Sequence, residues 1–100
     1  MAVLVQILLP ITEASAASDV FQSLADELTQ RYSGVTSYLH APAEGRWASK
    51  DHVERDDITV IEVMTEEPDR PYWVQLKRKL EQRLAEQDIV IRCQEIELIQ

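Results

Sequence analysis

A chain of 100 residues with 45% hydrophobic and 28% charged side chains, two glycines and four prolines, has the composition of one folded domain, not of a linker or a disordered tail. Its net charge of -8 opposes phosphate backbones and anionic membranes, because a binder of either needs a cationic face; the Lys77, Arg78, Lys79 cluster with Arg83 is too small to supply one. No nucleic-acid or membrane partner is expected, since no stretch approaches the ~20 apolar residues of a membrane span. A lone cysteine, Cys93, excludes an internal disulfide and any cysteine-pair zinc site.

"AVLVQILL", residues 2–9, is short, partly β-branched and closed by Pro10, which predicts a strand. With Ala14, Ser15 and Ala16 behind it, the run has the outline of a secretory leader. Against that, no Lys or Arg precedes it, Gln6 and Pro10 interrupt it, and Glu13 lies just before the supposed cut. It reads as the buried first strand of a cytoplasmic protein. From Ser18 to Tyr32, Phe21, Leu24 and Leu28 recur at helical spacing, Ser18 or Asp19 can cap the start, and Gly34 permits a left-handed exit.

"GVTSYLHA", residues 34–41, alternates with a period of two: Val35, Leu39 and Ala41 on one side, Thr36, Tyr38 and His40 on the other. The next β-branched run is "DITVIEVM", 57–64, so residues 42–57 read as a long charged hairpin connection with Pro42 and Gly45 as turn material. A second helix begins near Asp69, takes Pro71 into its first turn, and runs to about Glu86 with Trp73, Leu76, Leu80 and Leu84 as its buried stripe. Glu66, Glu67 and Asp69 ahead of it suit the positive end of its dipole, and Lys77 and Glu81 form a surface pair four residues apart. "IVIRCQEIELI", 89–99, is the last strand, in which Cys93 reads as a packed thiol.

The order βαββαβ predicts an α+β ferredoxin-like sandwich over residues 1–100. Its four-stranded antiparallel sheet has order 4-1-3-2 and both helices on one face. Strand parity then separates the two faces of that sheet. Val3, Val5, Ile7 and Leu9, with Thr59, Ile61 and Val63 and with Ile89, Ile91 and Cys93, form the apolar rows that suit the helices. On the opposite face Arg92, Gln6, Glu62 and Tyr38 or His40 form a polar band, with Arg92 and Glu62 in reach of each other across Gln6. Around it stand Leu4, Leu8, Ile58, Val60, Met64 and Val90, too many apolar groups for a small monomer to leave in water. A second copy covering them by two-fold symmetry predicts a homodimer.

Two roles are open to the band. Its members either satisfy one another inside a dimer interface or line a small-molecule pocket. In the second case Arg92, Gln6, Glu62 and Trp47 are the ligand-binding candidates, and Glu62, His40 and Tyr38 the catalytic ones. Trp47, an aromatic in a polar loop, packs on the rim of the core or a partner, or closes over a ligand. Asp51, His52, Glu54, Asp56 and Asp57, with His40 at the base, are metal-ligand types whose spacing matches no zinc or calcium motif, so neither metal nor cofactor is expected. No Gly-x-Ser-x-Gly elbow and no glycine-rich phosphate loop occur.

"GVTSYLHAPAEGRW" followed by "VERDDITVIEVM" resembles a set of small uncharacterised bacterial proteins, a domain-of-unknown-function family with a ferredoxin-like α+β fold. The shared features are Gly34, Val35, Thr36 and Tyr38, then Glu44, Gly45 and Trp47, then Glu54 to Asp57 leading into the Glu62 strand. The resemblance spans most of the chain and implies a fold, with no activity to carry to any residue. At fold level the chain is also similar to dimeric α+β-barrel proteins, some of which use the cavity between paired sheets for small-molecule chemistry. Against the haem-using members, neither His40 nor His52 is placed as an axial ligand. The leading expectation is a homodimeric protein without assignable activity, and the alternative is a small-molecule binder or enzyme working on the band.

Overall fold

The computed structural model describes residues 2–10, 20–32, 34–37, 43–48, 53–84 and 88–99, with backbone alone at 37, 43–48 and 53–57. Five strands and two helices follow in the order β1 (Ala2–Pro10), α1 (Val20–Tyr32), β2 (Thr36–Ser37), β3 (Ala43–Ala48), β4 (Val53–Thr65), α2 (Arg70–Leu84) and β5 (Val90–Ile96). The strands form one sheet in which β2, β4, β1 and β5 lie side by side in that order, and β3 pairs with β4. Every pairing is antiparallel. This is an α+β, ferredoxin-like arrangement.

The strand count corrects the expectation of four. Residues 43–48, assigned by sequence to a connection, are a strand of their own, in register from Ala43 opposite Ile58 to Ala48 opposite Val53. The strand expected over 57–64 accordingly begins at Val53 and runs for 13 residues, of which β1 pairs only the stretch from Ile58 to Thr65. The β3–β4 arm therefore reaches past β1. Thirteen extended residues cover ~43 Å, close to the 46 Å long axis of the molecule. Charged residues every one or two positions concealed this arm, because a stretch without apolar alternation gives no strand signal in the hydropathy pattern. The last strand also ends earlier than expected, at Ile96, leaving Leu98 and Ile99 exposed.

Both helices pack on one face of the sheet. Val5, Ile7 and Leu9 of β1, Ile61 and Val63 of β4 and Ile89 before β5 meet Val20, Leu24 and Leu28 of α1 and Trp73, Leu76, Leu80 and Leu84 of α2 in a single cluster. The odd-numbered rows face the helices, as their parity requires. In α1 the first buried position is Val20, while Phe21, expected in the stripe, is half-buried at its margin. Cys93 is a second correction. It lies on the helix-side row opposite Val5, but on β5, the strand at the edge of the sheet, and the thiol is exposed.

The helix ends are joined by aromatic stacking. Tyr32 lies parallel to Trp73 at 5.5 Å, and Tyr72 meets each of them edge-on. The Arg31 guanidinium covers the Tyr72 ring at 3.9 Å and pairs with Asp69 at 2.8 Å. Asp69 in turn caps α2, its Oδ1 accepting from the Tyr72 amide. No helix of the described residues is long and apolar enough to cross a membrane.

Candidate functional site

β-sheet register brings four side-chain positions into one line across the face that the helices leave open. Gln6 stands opposite Arg92 on one side and Glu62 on the other, and Glu62 stands opposite Thr36 of β2. The band runs Arg92, Gln6, Glu62, Thr36 across β5, β1, β4 and β2. Arg92 Nε donates to Gln6 Oε1 at 2.8 Å, and Gln6 Nε2 donates to Glu62 Oε1 at 2.7 Å. Chemistry fixes the amide's orientation: a guanidinium only donates and an ionised carboxylate only accepts, so the amide must turn its oxygen to Arg92 and its nitrogen to Glu62. Gln6 thus links Arg92 and Glu62, which stand two strands apart, ~9.6 Å at ~4.8 Å per strand.

Apolar side chains frame this line. Leu4, Leu8, Val60 and Val90 are half-buried and Met64 is 57% exposed. Ile58, on the same row, is buried at 5% yet stands outside the helix-side cluster. Beside Glu62 lies a concavity of about 400 Å³ lined by Leu4, Tyr32, Gly34, Val35, Thr36, Glu62 and Met64. The Tyr32 hydroxyl at its wall is buried without a hydrogen-bond partner among the described residues. Thr36 and Tyr32 were not singled out as site residues by sequence. Thr36 shares the parity of the polar row and was legible there, whereas Tyr32 enters only because the end of α1 folds against β2.

Of the other sequence candidates, Tyr38, His40 and His52 lie outside the described residues. Trp47 stands in β3 opposite Glu54. Among the described residues no group of three His, Cys, Asp or Glu is placed to hold a metal ion.

Solved structures of similar fold superpose along the whole chain. The periplasmic divalent cation tolerance protein CutA from Archaeoglobus fulgidus superposes with a TM-score of 0.62 at 13% identity, covering 100% of this chain and 88% of that one. The fold is CutA-like. The divalent cation tolerance protein Cut A1 from Thermus thermophilus gives a TM-score of 0.62 at 16% identity over 100% of this chain and 88% of that one. CutA1 from Oryza sativa gives 0.63 at 14% identity over 99% and 83%. No family model and no curated protein matches the chain, so the resemblance to a domain-of-unknown-function group finds no support there, while its ferredoxin-like fold is upheld by the CutA likeness.

Proposed function

We propose that the chain is a CutA-like, self-associating protein that serves tolerance of divalent cations, copies meeting through the open sheet face. The observation that carries the self-association is the closed hydrogen-bond line from Arg92 through Gln6 to Glu62 within an apolar surround. Polar groups that bond to one another while apolar neighbours stay half-exposed are the arrangement of an interface core, where a polar group has to be satisfied before it is covered. A homodimer is the smallest closed assembly that would cover the face. Support for the cation role comes from the whole-length likeness to proteins described as divalent cation tolerance proteins. A net charge of -8 also concentrates divalent cations around the molecule without a built centre.

A cytoplasmic location is part of this reading. β1 is hydrogen-bonded on both sides, to β4 and to β5, so residues 2–10 belong to the folded sheet. Cell fractionation that finds the chain, shortened at its N-terminus, outside the cytoplasmic membrane would reject this location.

Light scattering on the eluting protein tests the assembly: a mass at a multiple of 11.5 kDa is expected, and Leu8→Lys on the open face should return a folded single chain. A wild-type protein that elutes as one chain at tens of micromolar overturns the self-association. A deletion strain that grows as well as its parent in elevated copper, zinc and cadmium overturns the cation role.

One observation favours a second reading, in which the band serves a small-molecule binder or enzyme of the dimeric α+β-barrel kind: the concavity beside Glu62, with Tyr32 and Thr36 at its wall. There Arg92, Gln6 and Glu62 would orient the ligand. A metabolite whose stabilising thermal shift disappears in Glu62→Gln would replace the first reading with this one.

A further inference from the structure

On the helix side of the sheet, away from the polar band, a groove of about 170 Å³ lies between α2 and the edge strand β5. Its walls are apolar, from Val5, Trp73, Val74 and Ile91, and among the described residues no Asp or Glu lines it, in a chain with 18 acidic against 10 basic residues. Three cations line it instead, Arg70, Lys77 and Arg92. Lys77 Nζ donates to Glu81, Asp88 and the carbonyl of Ile89, which uses all three of its hydrogens. Arg92 turns its Nε to Gln6 on the other face. Arg70, the first residue of α2, makes no hydrogen bond or ion pair among the described residues. Its neighbour Asp69 does not neutralise it, because that carboxylate is taken by Arg31 and by the cap of α2.

We propose that this groove binds a small organic carboxylate with an apolar body, one aromatic ring or a short branched chain, whose carboxylate pairs with Arg70. Size fits, since a cavity of ~150 Å³ accommodates benzene. The planar guanidinium matches a carboxylate in two parallel hydrogen bonds, while the apolar walls take the ring. A phosphate fits worse. Its greater charge would be desolvated against Val74, Ile91 and Trp73. The site lies across the sheet from the surface proposed for self-association, so either can fail without the other.

Cys93 lines the same groove, is exposed, and is the chain's single cysteine, which makes its alkylation a local reporter. The rate of modification of the full chain by neutral iodoacetamide is measured with added sodium benzoate, benzamide, sodium phosphate or equal sodium chloride. Benzoate should slow the reaction several-fold and saturably, and isovalerate should do so more weakly. Benzamide, phosphate and chloride should leave the rate unchanged. Arg70→Gln, at an exposed position, should lose the protection, its rate with benzoate being compared with its own rate without. No slowing by benzoate at tens of millimolar overturns the proposal. So does equal protection by benzamide or phosphate, or protection that survives Arg70→Gln. A rate that falls with protein concentration alone would show a second copy in the groove and overturn it as well.

Discussion

Gln6 connects Arg92 to Glu62 because its amide is a donor at one end and an acceptor at the other. Replacing it by Leu keeps the bulk but takes from half-buried Glu62 the amide that donates to it. The expected cost is about 1–2 kcal/mol, read as a lower urea midpoint with an unchanged m-value. A second network ties α2 to the start of β5. Glu81 accepts from Lys77 at 2.6 Å and from the Ile89 amide at 2.8 Å, and these two bonds hold its carboxyl below the usual carboxylate range. Burial works against the Lys77 charge, but hydrogen bonds to Asp88 and Glu81 outweigh it and keep its pKa raised. A depressed carboxylate lends stability that is present above its ordinary value of 4.5 and is lost as pH falls through its folded value. The melting temperature of Glu81→Gln should therefore lie below wild type at pH 7, and the gap should close as pH drops below 4.5. A gap that holds constant down to about pH 2.5 would contradict this account of the shift.

At the scale of elements, α2 does most to close the core. Its stripe of Trp73, Leu76, Leu80 and Leu84 is buried along the whole helix. Leu80, 3% exposed in the middle of it, should cost about 2–4 kcal/mol as Leu80→Ala, through lost transfer energy and the cavity left behind. The start of the same helix is set by Asp69, which caps it and pairs with Arg31 of α1. Asp69→Ala should cost about 1 kcal/mol, and Asp69→Asn, which keeps the cap, less than that. Denaturation midpoints of the pair separate the two contributions: equal losses would assign the effect to the Arg31 pair and not to the cap. The neighbouring Tyr72 hydroxyl, its pKa pushed well up by burial and by its bond to Glu27, stays neutral throughout the working pH range.

Across the whole molecule, the two faces of the sheet have opposite fates. One is sealed by both helices, and the other carries half-buried Leu4, Leu8, Val60 and Val90 with no described helix over them. If copies cover that face, association stabilises the fold by mass action, so the melting temperature should rise with protein concentration in wild type and lose that dependence in Leu8→Lys. Calorimetry over a hundredfold concentration range checks this, and a flat wild-type curve would place the open face in water.

Periodicity alone determined the two helices, three apolar strand segments, the start of the strand expected over 34–41, of which 36–37 is observed and 38–41 lies outside the described residues, and the parity that sorts Gln6, Glu62 and Arg92 to one face, because an amphipathic element must turn its apolar side to the core whatever lies beyond it. The same reasoning put Cys93 on the helix-side row correctly and its burial wrongly, since parity says which way a side chain points and not whether anything arrives to cover it. Only the tertiary structure decided the β3–β4 arm, whose charged strands pair by backbone hydrogen bonds that leave no pattern in side-chain hydropathy. It alone placed Tyr32 beside Glu62 and Arg70 beside Cys93, pairs separated by 30 and 23 positions, because contacts between distant segments follow from how helices seat on the sheet and not from the spacing within either.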